Sequence, residues 1–197
     1  MKICVFGASS STIDKDYVEQ IEALGRNMAK RGHSLIYGAG ASGLMGAAAR
    51  GAYEHGAEII GVVPDFFEEE DMGVDGKIFQ DCTELITTES MRDRKKIMED
   101  TADAFIVAPG GIGTFEEFFE VFTLKQLERH NKAIAVFNVN GYYDDMLNML
   151  DKAVEKNFLR KPCMNLFKVF DDEADMLDYI ENYTPEKVNV FQMKDIK

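Results

Sequence analysis

The chain has 197 residues, 46% of them hydrophobic, which fits one globular domain with a buried core rather than a disordered segment. Its 35 acids against 22 bases give a formal net charge of −13, the wrong sign for a nucleic-acid binder, which carries a basic patch. No apolar run reaches the length of a membrane span, the first residues lack a long apolar leader with a cleavage site, and Cys4, Cys82 and Cys163 are too scattered for a disulfide framework or a metal site. The expectation is a cytoplasmic protein that binds neither nucleic acid nor membrane and holds no metal.

Apolar runs alternate with helical patterns along the chain. Expected strands are 2–6, 34–37, 58–63, 84–87, 104–107 and 133–138, with a weak last one near 167–170. Expected helices are 14–31, 44–55, 90–101, 114–129, 143–157 and 173–182. Strict alternation of this kind predicts an α/β fold, a Rossmann-like doubly wound parallel sheet with helices on both faces. No linker, repeat or low-complexity tract divides the chain, so residues 1–197 read as a single domain. The acidic run Glu68–Asp71 reads as a solvated loop or helix end.

In open parallel sheets ligands bind beyond the carboxyl ends of the strands. Three such loops are rich in glycine or serine: Gly7–Ser11, Gly38–Gly43 and Pro109–Thr114. Gly38-Ala39-Gly40-Ala41-Ser42-Gly43 matches GxGxxG between a strand and a helix, the pattern of a dinucleotide site. It follows the second strand rather than the first, so close backbone packing or a nucleotide-lining turn is the competing explanation. Pro109-Gly110-Gly111-Ile112-Gly113-Thr114 opens a helix whose free N–H groups and positive dipole end suit a phosphate. No Gly-Lys-Ser/Thr follows, which favours a monophosphate over a triphosphate with magnesium.

Thr114-Phe115-Glu116-Glu117 also reads as a capping box, with Glu117 reaching back to the helix start. A catalytic Glu117 one turn from a phosphate is the other reading, and the residues alone leave the two even. Ser90 to Asp93 is a second capping pattern. Behind it Met91, Arg94, Lys95 and Met98 share one helical face, where the cations serve either a small anion or simply extend over apolar surface. The helix from Thr114 carries Phe115, Phe118, Phe119, Val121, Phe122, Leu124 and Leu127, more apolar surface than one sheet face covers. A partner subunit or a central position in the domain would account for it. His33, His55 and His130 fall at helix ends and receive no catalytic role.

Pro109 to Glu117 in the pattern PGGxGTxxE, together with Met91-x-x-Arg94-Lys95, resembles the LOG ("Lonely guy") family of cytokinin riboside 5′-monophosphate phosphoribohydrolases, long labelled lysine decarboxylases. Val5–Ser10, Tyr37–Gly40, Gly43–Gly46, Thr123–Leu127 and Asn138–Tyr143 match as well, so the resemblance covers nearly the whole chain. Ala39 departs from it, standing where the family usually has glycine, and so does the acidic loop 66–71. The resemblance implies hydrolysis of a nucleoside monophosphate at its N-glycosidic bond, with Glu117 and Arg94 catalytic. It places Gly110, Gly111, Gly113, Thr114, Met91, Lys95 and Ser9 around the substrate. It also implies a homodimer and no metal or redox cofactor. A non-catalytic nucleotide-binding module and a nicotinamide-dependent oxidoreductase remain the alternatives. The decarboxylase label meets a physical objection, since no pyridoxal lysine with its supporting site is evident.

Overall fold

A computed structural model describes residues 1–69, 78–185 and 193. Seven strands form one parallel sheet: β1 (Lys2–Phe6), β2 (Ser34–Tyr37), β3 (Ile59–Pro64), β4 (Glu84–Thr88), β5 (Ala104–Val107), β6 (Ala133–Phe137) and β7 (Lys168–Phe170). Their spatial order is β4-β3-β2-β1-β5-β6-β7, the doubly wound arrangement expected from the alternation. Each strand boundary lies within a residue of its expectation. The chain builds β2 to β4 on one side of β1 and then returns to place β5 on the other side. The switch point therefore lies between β1 and β5, whose following loops are joined by the Ala8 N–H donating to the Pro109 carbonyl at 3.1 Å. In open parallel sheets this end of the strands is where ligands bind.

Alternate strand residues feed two cores. Ile3, Val5, Leu35, Tyr37 and Ile106 face α1 (Lys15–Lys30), α2 (Gly43–Glu54) and α7 (Glu173–Glu181). Cys4, Phe6, Ile36, Val62, Phe105 and Val107 face α4 (Met91–Thr101), α5 (Ile112–Gln126) and α6 (Asp144–Glu155). Burial on both faces is why the central strands read as continuous apolar runs. A short helix, α3 (Phe66–Glu69), occupies the start of the expected acidic loop, whose Glu70 and Asp71 lie outside the described residues. No helix among the described residues is long and apolar enough to cross a membrane.

The bounds of α5 need correction. The helix begins at Ile112 with Gly111 as its N-cap, not at Thr114, and it ends at Gln126 because Glu128 adopts a left-handed φ of 57°. Its apolar surplus is also largely covered by its own chain. Phe118, Val121 and Phe122 are buried, and Phe167 packs edge-on against Phe118 and Phe122 at 5.4 Å. Composition alone therefore gives no argument for a partner subunit on this helix.

Helices α1 and α2 touch backbone to backbone through paired glycines. A Cβ on Gly25 would lie 2.2 Å from the Ala48 carbonyl oxygen, and one on Gly51 would lie 2.0 Å from that of Glu22. Neither position admits even a methyl group without separating the helices. Gly51→Ala should therefore destabilise the protein by about 1–3 kcal/mol in urea unfolding, despite alanine's better helix propensity.

Candidate active site

The first half of the site comes from α4. Ser90 caps that helix, its Oγ accepting from the Asp93 N–H at 3.2 Å, which sets the first turn beside the end of β3. Arg94 then points inward and is 7% exposed. Its Nε donates to the Val62 carbonyl at 3.0 Å and its Nη1 to Glu117 Oε1 at 3.3 Å. A Cβ on Gly38 would sit 1.7 Å from Arg94 Nη2, so the glycine that follows β2 leaves the space the guanidinium occupies. Arg94 is thus not a surface cation draped over apolar groups.

Lys95 also turns inward, and its ammonium bridges Glu116 and Glu120 on α5. Burial works against that charge, but the two hydrogen bonds hold the lysine above its ordinary range. Met91, in contrast, stands 40% exposed at the start of α4. Glu99, near the same cluster, is pushed up to about 7 by burial and by the charge of Glu120.

The second half is the start of α5. Gly111 caps the helix with no side-chain hydrogen bond, so the capping-box reading of Thr114 and Glu117 does not hold. Thr114 lies inside the first turn and packs on Gly110, where a Cβ would be 2.1 Å from the threonine Oγ1. Glu117 falls in the second turn and faces Arg94. Burial pushes its carboxyl up to about 7, against the opposing pull of the guanidinium. At Gly111 and Gly113 an added Cβ would meet nothing within 4 Å, so the fold itself does not demand glycine there. Helix starts leave N–H groups without intrahelical acceptors, and none of those at Gly113 and Thr114 finds a protein acceptor among the described residues. An open helix N-terminus beside a buried Arg–Glu pair can hold a small anion next to a carboxyl group able to exchange a proton near neutrality.

The GxGxxG turn behaves differently. The N–H groups of Leu44 and Met45, at the start of α2, both donate to the Ala8 carbonyl at 2.8 and 3.1 Å. Gly43, at φ +60°, admits that approach, and a Cβ there would be 2.7 Å from the Ser9 carbonyl carbon. The donors that a dinucleotide pyrophosphate would need are already taken by the β1 loop, which leaves the close-packing reading. Ser9 is held half-buried against this turn. Ala39 adopts φ 61°, in the left-handed region, and its Cβ fits only because Gly61 opposite has none, an added Cβ lying 3.0 Å away.

The histidines are held by local bonds. His130 Nδ1 accepts from the Lys132 N–H at 3.2 Å, leaving Nε2 to donate to the Val121 carbonyl at 2.8 Å, and burial lowers its pKa to about 4. His33 pairs with Glu181 and His55 with the Gly51 carbonyl. Among the described residues no three His, Cys, Asp or Glu side chains converge as a metal site. Two features were missed in the sequence: the carboxylate bridge on Lys95, and the hydroxyls of Tyr142 and Tyr143, which reach the Gly110 and Ala108 carbonyls. The run Asn138–Tyr143, part of the family resemblance, was the available signal for the tyrosines.

Fold and site together define a Rossmann-like protein whose α5 begins with uncapped N–H groups beside a buried Arg–Glu pair. Residues 45–180 match the family described as "Possible lysine decarboxylase". The chain is 36% identical over 184 residues to "Probable cytokinin riboside 5′-monophosphate phosphoribohydrolase LOGL5" of Oryza sativa subsp. japonica, covering 93% of this chain and 73% of that one. To "Cytokinin riboside 5′-monophosphate phosphoribohydrolase LOG2" of Arabidopsis thaliana it is 35% identical over 185 residues, covering 94% and 84%. The chain belongs to this family, the LOG family. Among solved structures, a molybdenum cofactor carrier protein from Chlamydomonas reinhardtii superposes with a TM-score of 0.66 at 21% identity, covering 91% of this chain and 95% of that one. At that identity the likeness shows the fold alone.

Two substitutions test this geometry. Ala39→Gly should raise stability by roughly 0.5–1 kcal/mol, because relief of the left-handed strain exceeds glycine's entropic cost. Gly38→Ala should displace the guanidinium, so that the Glu117 carboxyl titrates above about 7 when followed by NMR of labelled glutamate. An unmoved titration would contradict the placement of Arg94.

Proposed function

We propose that this protein hydrolyses the N-glycosidic bond of a cytokinin or purine riboside 5′-monophosphate, releasing the free base and ribose 5-phosphate. The observation that carries the reading is the open start of α5 one turn from the buried Glu117–Arg94 pair. The 5′-phosphate rests on Gly110, Gly111, Gly113 and Thr114, where N–H groups and the helix dipole favour an anion. Cleavage of the bond from C1′ to the base builds positive charge on the ribose, as in other glycoside hydrolysis. Ionised Glu117 stabilises that charge and takes a proton from the attacking water. The water oxygen bonds to C1′, and the base leaves with the electron pair of the broken bond and a proton from solvent.

Arg94 holds Glu117 in position and hydrogen-bonds substrate. A guanidinium keeps its proton at any working pH, which suits orientation better than proton donation. Met91 and Ser9 line the substrate crevice. Lys95 contributes to the same side while tied to Glu116 and Glu120. The working form is a cytoplasmic homodimer, a reading supported by the family resemblance rather than by the packing of α5. No metal or redox cofactor takes part in the proposed steps.

The test is chromatography of protein incubated with AMP and with isopentenyladenosine monophosphate, watching for free base and ribose 5-phosphate. Glu117→Gln should lower turnover by about 10²–10⁴-fold, and near-normal release by this variant would remove Glu117 from the chemistry. The reaction uses the ionised carboxylate, whose pKa is raised to about 7. Activity is therefore full above that pH and falls as pH drops through it. The limb should vanish in Glu117→Gln. Gly113→Ala should gain about 0.5–1 kcal/mol of helix stability yet raise KM for the nucleotide. Intact nucleotides bound without any release would favour the non-catalytic binding module.

A further inference from the structure

We propose that Tyr142 and Tyr143 are positioning residues of the phosphate subsite, fixing the peptide planes after β5 so that N–H groups rather than carbonyls face the ligand. The inference rests on the anion reading of the α5 start given above.

The chain leaves β6 through a turn in which Asn140 and Gly141 have φ of 53° and 72°. Asn138 Oδ1 accepts from the Tyr143 N–H at 2.7 Å, and Asn138 Nδ2 donates to Asp144 Oδ1 at 2.8 Å. That closed turn brings two consecutive tyrosines against the β5–α5 loop. The Tyr143 hydroxyl donates to the Ala108 carbonyl and the Tyr142 hydroxyl to the Gly110 carbonyl, each at 2.7 Å. The carbonyl between them, on Pro109, accepts from the Ala8 N–H at 3.1 Å. All three successive carbonyls are thus held on the protein side.

This matters electrostatically because a carbonyl oxygen turned toward a phosphate would repel it. A trans peptide points its C=O and N–H in opposite directions, and the chain has no cis peptide among its described residues. Holding the Gly110 oxygen against Tyr142 therefore turns the Gly111 N–H away from that tyrosine, and Gly111 itself borders open space, since a Cβ added there would meet nothing within 4 Å. Tyr143 is fully buried, and burial keeps its hydroxyl protonated and able to donate. Tyr142 is 41% exposed, so water could satisfy the Gly110 carbonyl in its absence. Its hydrogen bond orients the loop more than it stabilises the fold.

Calorimetric titration of the whole protein with ribose 5-phosphate and, separately, with adenine tests this on Tyr142→Phe, which keeps the ring contacts with Tyr17 and Tyr143. The expected result is about three- to tenfold weaker ribose 5-phosphate binding, the value of one neutral hydrogen bond. Adenine affinity should stay unchanged, and in the hydrolysis assay KM for AMP should rise with kcat held. Unchanged ribose 5-phosphate affinity, or equal weakening of both ligands, would overturn the positioning role. Absence of ribose 5-phosphate binding to the unaltered protein would instead overturn the anion reading, and this inference with it.

Discussion

A guanidinium and a carboxylate facing each other at 3.3 Å, with side chains only 9% and 11% exposed, impose conditions on every element near them. Withdrawing two charges from water costs several kcal/mol each unless further hydrogen bonds accompany their attraction. Arg94 obtains one from the Val62 carbonyl, so β3 must end beside α4. The guanidinium needs the volume a side chain at Gly38 would fill, so β2 must be followed by glycine. Glu117 must fall in the second turn of α5, so that helix must begin at Ile112. The carboxyl remains incompletely compensated, and its pKa stays near 7. The same shortfall suits the proposed role of proton acceptor near neutrality.

The two helix starts near the switch point are electrostatically unlike, and that difference favours the α5 start for the proposed phosphate. The donors of α2 are spent on the Ala8 carbonyl, which ties the β1 loop to the second helix. The start of α5 stays open, and the carbonyls before it are turned away. In a chain of net charge −13, the acids close to this point need neutralising. Lys95 does so by pairing with Glu116 and Glu120, while burial raises the Glu99 carboxyl toward neutrality. Without these arrangements, like charges would oppose the proposed phosphate.

The doubly wound parallel sheet and its strand limits were legible because strands alternate with helices and burial on both faces leaves continuous apolar runs bounded by turn residues. The pairing of Arg94 with Glu117 was legible only through motif resemblance, since it joins residues on different helices whose separation no local pattern encodes. The start of α5 was misjudged because Thr114 and Glu117 fit a capping box, whereas the helix begins at Ile112 after Gly111, an N-cap with no side-chain hydrogen bond. GxGxxG likewise described a turn correctly but not its use, which depends on the Ala8 carbonyl from another loop. At Ala39 the departure from glycine was visible, but the strain of its left-handed φ and the relief offered by Gly61 required the fold. Residues 70–77, including part of the acidic loop, lie outside the described structure.

A crystal structure of the Glu117→Gln protein soaked with AMP would be the most direct examination of the proposed chemistry. Phosphate oxygens within hydrogen-bond distance of the Gly113 and Thr114 N–H groups, with C1′ of the ribose lying against residue 117, is the arrangement expected. Phosphate seated at the start of α2, or a ribose turned away from residue 117, would contradict it.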